Sequence, residues 1–258
     1  WTANCHLPVF RNLGSKLFKI FLIGEINLRI YLKNYFDTFC CFWIFTFIAC
    51  YPLFSACTQS LNTQGIISDW VAKDKAYLNG RKKLYYYFEQ ESIDYILDID
   101  GPVKVRADPF YNEEIALGKA LLNEVDNYIG LDFSQVKTRK EADFIILGVC
   151  EKDTVLDGIV TTSLDGTKAI MTLNGCNTPF SSKHPPETLF LHELGHVLGL
   201  EHPFDNSDGD CLGSTDPWGH RSAHTGHTLM AYRDPPGNVR TFFTELDILA
   251  LQEIWGRD

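Results

Sequence analysis

The stretch Phe190–Phe204, FLHELGHVLGLEHPF, holds three histidines and a glutamate at a spacing that can assemble a metal site. On a helix each residue advances about 100°, so His192 and His196 share one face, one turn apart, and their imidazoles can converge on one cation. Glu193 projects about 100° round from His192, where it can reach a water on that cation without ligating it. A third ligand at helical spacing would fall at Thr188 or Leu200, and neither can serve. The chain must therefore leave the helix and turn back. Gly199 permits this, because a residue without Cβ takes the positive φ of a helix stop. Pro203 blocks helical continuation, and His202, six residues beyond His196, completes three nitrogens. Three neutral nitrogens with an open fourth position suit Zn²⁺ in a catalytic site rather than a closed structural one. Such an ion acidifies a water and polarises a carbonyl. Glu193 can then take the proton from that water and pass it to a leaving amine. The chemistry implied is amide hydrolysis. A lone HExxH arises by chance on amphipathic helices, whereas HExxHxxGxxH fixes five positions and here meets a helix followed by a glycine stop.

HELGHVLGLEH, with TLMAYR downstream, resembles the metzincin zinc metallopeptidases. The resemblance implies that Met230 forms the tight Met-turn beneath the zinc. Met230 lies 28 residues after His202, a gap closer to the serralysin branch than to the matrixins. EHPF and MAY resemble the His-Pro pair and Met-x-Tyr of serralysins, which implies Tyr232 as a residue near zinc that stabilises the oxyanion. LDILALQEIWG is similar to their closing helix. The family also implies an edge strand that pairs with an extended peptide, and by position Lys168–Leu173 would be that strand. The likeness runs from about Lys82 to Gly256. Neither the Gly- and Asp-rich calcium-binding repeats of typical serralysins nor the cysteine-switch segment of matrixins is found in this sequence.

The elements that must position these residues are legible in outline. KKLYYYFEQ (Lys82–Gln90) reads as a strand. Ile115, Gly118, Leu122, Val125 and Ile129 form one helical stripe from Asn112 to Ile129, stopped by Gly130. ADFIILGV (Ala142–Val149) is a short continuous apolar run, hence a buried strand. KAIMTLN (Lys168–Asn174) alternates after the turn LDGT and reads as another. Thr188–Leu198 is a helix entered after Pro185-Pro186. The final helix starts at a Thr244 cap, buries Ile248, Leu251 and Trp255 on one face, and ends at Gly256. About 40 residues rich in Gly, Pro, Asp, Ser and His separate the last two helices, and so long a connection is usually functional or disordered. The order predicts an α+β, α/β-layered domain. The resemblance sharpens this to a metzincin-like zincin domain: a twisted, mostly parallel sheet with an antiparallel edge strand, an active-site helix, and a C-terminal subdomain with one helix.

The chain has 258 residues, a formal net charge of -10 and 45% hydrophobic content, enough for one substantial core. The acidic balance argues against nucleic acid, which is met by basic patches. Residues 1–57 hold five of the eight cysteines, and Phe39–Ala56 is apolar-leaning and uncharged. The stretch is marginal for a spanning helix, which needs about 20 residues. LFSAC, Leu53 to Cys57, resembles a lipobox, so residues 1–57 read as an export or anchor segment of uncertain start, with Cys57 a candidate for lipidation. Residues 58–81 read as a polar linker and 82–258 as the catalytic domain. Of the remaining cysteines, Cys176 and Cys211 flank the histidine cluster and form the preferred disulfide, leaving Cys150 as a buried thiol. His220, His224 and His227 offer a second metal site, against ordinary loop histidines. DNSDGD (Asp205–Asp210) carries the alternating acids of a Ca²⁺ loop, though the twelfth position is Asp216 instead of Glu.

The expectation is thus a monomeric zinc endopeptidase, secreted or lipid-anchored outside the cytoplasm, acting on extended peptides. His192, His196 and His202 hold zinc, Glu193 is general base, Tyr232 assists, and Met230 and Gly199 support the site. A catalytically silent zinc-binding module, or a membrane-anchored interaction domain, is the alternative. An intact Glu193 speaks for the enzyme, because a structural site does not need it.

Overall fold

Ala142–Val149, a short continuous apolar run, becomes the middle of the sheet. The structure is a computed structural model and describes residues 57–71, 78, 80–99, 101–150, 157–163, 167–175, 185–235 and 240–258. Among these, the strands are β1 (Lys83–Phe88), β2 (Asp94–Asp98), β3 (Pro102–Arg106), β4 (Asp132–Gln135), β5 (Phe144–Val149), β6 (Gly158–Thr162) and β7 (Ala169–Asn174). The helices are α1 (Asn112–Asp126), α2 (Pro186–Val197) and α3 (Glu245–Trp255). Five strands form one sheet in the order β4-β1-β5-β7-β6, while β2 and β3 pair as a separate hairpin. β4, β1, β5 and β7 run parallel, and β6 is antiparallel to β7 at one edge. The fold is mixed α/β with a mostly parallel sheet.

β5 is buried at all six positions, as a central parallel strand covered on both faces must be. β1 alternates half-buried and buried residues. Its buried Tyr86 and Phe88 point into a core shared with Leu121, Leu122 and Val125 of α1, Leu191 and Leu194 of α2, and Leu251 and Ile254 of α3. Gly118 lets α1 approach closely: a Cβ there would lie 2.6 Å from Phe88 Cζ and 2.9 Å from Phe190 Cε2. α1 ends three residues before Ile129, which is nevertheless buried, so the stripe extends past the helix.

Several expectations are corrected. Lys168–Leu173 cannot be the peptide-pairing edge, because β7 is bonded to β5 on one side and β6 on the other. The edge strand beside β7 is β6, whose GIVTT lacks an alternating pattern of apolar and polar residues. Residues 57–71 do not behave as a free linker. Thr58 bridges to Leu212, Ile67 bridges to Leu200, and Thr63 and Gln64 donate to the Glu253 carboxylate at 2.7 Å each. Cys211 is bonded to Cys57 across a separation of 154 residues, so the Cys176–Cys211 pair does not form. That bond also occupies the sulfur that lipidation of Cys57 would need. Cys150 is likewise disulfide-bonded rather than a free thiol. Among the described residues no helix is long and apolar enough to cross a membrane. The apolar run Phe39–Ala56 lies outside them.

Candidate metal centre

Helix α2 brings the first two histidines together as its periodicity requires. Pro185-Pro186 starts it, and the chain stops at Gly199, whose φ is +95°. The stop is a glycine-terminated helix end: Leu200 N donates to Gly195 O at 2.8 Å and Gly199 N to His196 O at 3.1 Å. A Cβ on Gly199 would lie 2.6 Å from Val71 Cγ2. Trp255 of α3 donates its indole N–H to Leu198 O at 2.9 Å, closing the frayed end from outside. Beyond this turn Glu201 N donates to Ile66 O, and His202 swings back over α2.

His202 Nε2 lies 3.2 Å from His192 Nε2 and 3.1 Å from His196 Nε2. His192 Nδ1 donates to Leu229 O and His196 Nδ1 to Leu200 O, both at 2.9 Å. A carbonyl oxygen can only accept, so both Nδ1 atoms carry the proton and both Nε2 atoms present lone pairs. With His202 Nε2 also unprotonated, three lone pairs converge where a cation could sit. Three nitrogens each about 2.0–2.1 Å from one tetrahedral ion would stand about 3.3 Å apart, close to the observed separations. The backbone carbonyls that orient the rings are the usual outer partners of metal-binding histidines. Burial, followed by the charge of a neighbouring ring, pushes His196 and His202 down to about 3, which keeps both neutral.

Glu193 sits next to the triad, 4% exposed, and its Oε2 has no hydrogen-bond partner. Burial, then the charge of Asp157, pushes it up to about 8. The start of β6 passes directly over it: a Cβ on Gly158 would lie 2.6 Å from Glu193 Oε1. The glycine thus brings the edge strand's backbone against the acid. Tyr232 is 41% exposed and packs edge-on against His202 at 4.6 Å between centroids. Phe204 stacks on His202 at 4.8 Å and 8°, and Trp218 approaches Tyr232 at 6.0 Å. Burial, then Glu193, raises the Tyr232 hydroxyl above its ordinary value, so it remains a donor.

Met230 is fully buried under α2. A Cβ on Gly195 would meet its sulfur at 2.5 Å, so Gly195 makes room for Met230. The turn around Met230 is held from α3. Asp247 Oδ2 accepts from Leu229 N at 2.8 Å and Thr244 N at 2.8 Å, and Asp247 Oδ1 accepts from Thr228 Oγ1. Leu229, held through its N–H, offers its carbonyl to His192. Burial raises the Asp247 carboxyl against these hydrogen bonds, which favour its charged form.

The structure therefore gathers His192, His196, His202, Glu193, Tyr232, Met230 and Gly199 at one place. Sequence reasoning missed Gly158, Gly195 and Asp247. Only Asp247 left a trace, as the third residue after the Thr244 cap. His224 and His227 stack at 3.6 Å, yet with His220 they do not form a ligand set. Two groups among the described residues could hold a metal: the histidine triad, and Glu201 with Asp208 and Asp210.

No family model and no curated relative matches the chain. Among solved structures, the GM1 bound form of the ECX AB5 holotoxin is similar over 77% of this chain and 87% of that chain, at 13% identity and a TM-score of 0.40. So distant a likeness bears on neither fold nor chemistry.

Proposed function

We propose that this chain is a zinc-dependent endopeptidase of the metzincin type, nearest the serralysin or matrixin-like branch. The observation that carries the reading is the convergence of three imidazole nitrogens beside a buried, unpartnered glutamate. His192, His196 and His202 would hold Zn²⁺. When bound, the ion supplies Lewis acidity, which acidifies a water and polarises a carbonyl.

The remaining work falls to side chains and backbone. Beside the bound ion, whose positive charge would favour its ionised form, Glu193 is placed to take and release a proton. It accepts the proton of the attacking water and delivers it to the leaving amine nitrogen. The Tyr232 hydroxyl, still protonated, donates to the oxyanion that develops at the scissile carbonyl. The backbone of β6, beginning at Gly158 over Glu193, offers an edge on which an extended peptide can align. Met230 and Asp247 hold the floor that orients His192. The fold is read as metzincin-like on the same grounds: a mostly parallel sheet, an antiparallel edge strand, the zinc-motif helix, and one helix after the Met230 turn. Disulfides at Cys57–Cys211 and Cys150 favour an oxidising, extracytoplasmic location.

The test is casein hydrolysis by zinc-loaded wild type and Glu193→Gln. We expect wild type to cleave, and the variant to keep its zinc while kcat/KM falls about 10²–10⁴-fold. Equal activity in the two would refute the mechanism, and a zinc-bound, folded wild type that cleaves nothing would leave a silent zinc-binding module.

A further inference from the structure

Immediately before His202 stands Glu201, a 9% exposed carboxylate whose Oε1 has no hydrogen-bond partner. It faces the loop that follows. Ligand oxygens of Glu201, Asp208 and Asp210 lie within 4.8 Å of one another. Asp210 Oδ1 is also buried and unpartnered, as is Asn206 Oδ1 in the same loop. The loop is wound tightly around these groups: Ser207 N donates to Asp205 Oδ1 at 2.9 Å and Asp210 N to Asp208 Oδ1 at 3.2 Å. Gly209, at φ +102°, makes the bend between the two acids. Among the described residues no Lys or Arg pairs with any of them.

A buried carboxylate without a donor or counter-charge is costly, and further carboxylates converging on it repel. A cation resolves both problems. The donors are all oxygens, irregularly placed and on a loop, which suits a hard ion of adaptable coordination. We infer that Glu201, Asp208 and Asp210 form a Ca²⁺ site. The ion joins the residue preceding the third histidine to a loop whose far end, Cys211, is bonded to Cys57. Phe204, which stacks on His202, lies in the same segment between Glu201 and Asp208. Calcium thereby rigidifies the segment that carries His202, a role separate from zinc and from peptide hydrolysis.

The experiment is calorimetric titration of CaCl₂ into the full chain, dialysed into calcium-free, zinc-buffered solution, with thermal melts alongside. We expect one Ca²⁺ per chain with Kd of about 10⁻⁵–10⁻³ M. The melting temperature should rise by about 5 °C or more at a hundredfold excess over Kd. Asp208→Asn/Asp210→Asn should lose the binding while keeping its circular dichroism and its zinc content. If that double variant does not fold, the single Asp208→Asn should weaken Ca²⁺ binding at least about tenfold. Absence of binding in the wild type up to about 10 mM CaCl₂, unchanged binding in the folded variants, or equal affinity for Mg²⁺ would each overturn the site. Calcium binding by a chain that lacks zinc or peptidase activity would leave it standing.

Discussion

At the residue scale, the proposed chemistry rests on protonation states that burial imposes. His196 and His202 are held neutral and their lone pairs face inward, while Glu193 is held ready to exchange a proton. The glutamate has a consequence for stability in the metal-free protein. Its folded pKa, about 8, lies above the ordinary 4.5, so its contribution is full below about 4.5 and is lost as pH rises through 8. Glu193→Gln lacks this dependence. In chelator-treated protein, the variant should therefore gain stability relative to wild type between pH 5 and 8. Guanidinium midpoints at three pH values measure this, and a gap that does not change with pH would mean the carboxyl is not desolvated as described. The three histidines were legible in the sequence because the geometry of a metal site would fix their spacing. Gly195 and Gly158 were not, because their roles depend on which side chain arrives opposite them. A glycine that makes room for Met230 or Glu193 looks like any other until the partner element is in place.

At the element scale, α3 reaches the histidines through intermediaries. Asp247 caps its own helix through Thr244 and fixes the Met230 turn through Thr228 and Leu229, and Leu229 orients His192. Asp247→Ala should leave buried donors unpaired and cost about 1–3 kcal/mol. Its zinc affinity should fall about 10–100-fold, because an outer partner of a ligand is disturbed. Asp247→Asn retains an acceptor and should be close to wild type in both. Chemical denaturation and competition with a zinc chelator read the two effects, and an alanine variant with unaltered zinc affinity would disconnect α3 from the site. Helices α1 to α3 and strands β1, β5 and β7 announced themselves through long apolar patterns. The short or polar strands did not: β4 is DFSQ, β3 is PVKVR, and β6 is GIVTT. Their pairing is decided by neighbours in the sheet, which explains how the edge strand was first assigned to β7.

At the scale of the whole molecule, residues 57–71 are tied to the loop that carries His202. Cys57–Cys211, the Ile67–Leu200 bridge and the Glu201–Ile66 hydrogen bond all bind the same two segments. The polar composition of this stretch suggested a linker, since contacts made through backbone groups and one cysteine leave no hydrophobic pattern. Closing a loop of this length stabilises by restricting the unfolded chain. Cys57→Ala/Cys211→Ala should lower stability by about 2–5 kcal/mol in denaturant melts. Peptide mapping without reduction should recover the two cysteines in one linked fragment, whereas an acyl chain on Cys57 would contradict the pairing. The central claim is that three imidazoles on a helix and its returning loop share one metal ion. Zinc-edge X-ray absorption with metal analysis of the purified chain tests it most directly. One zinc per chain, with three imidazole nitrogens at about 2.0–2.1 Å and loss of the ion in His202→Ala, is the predicted result. A chain that takes up no stoichiometric zinc, or whose zinc is indifferent to His202→Ala, would contradict it.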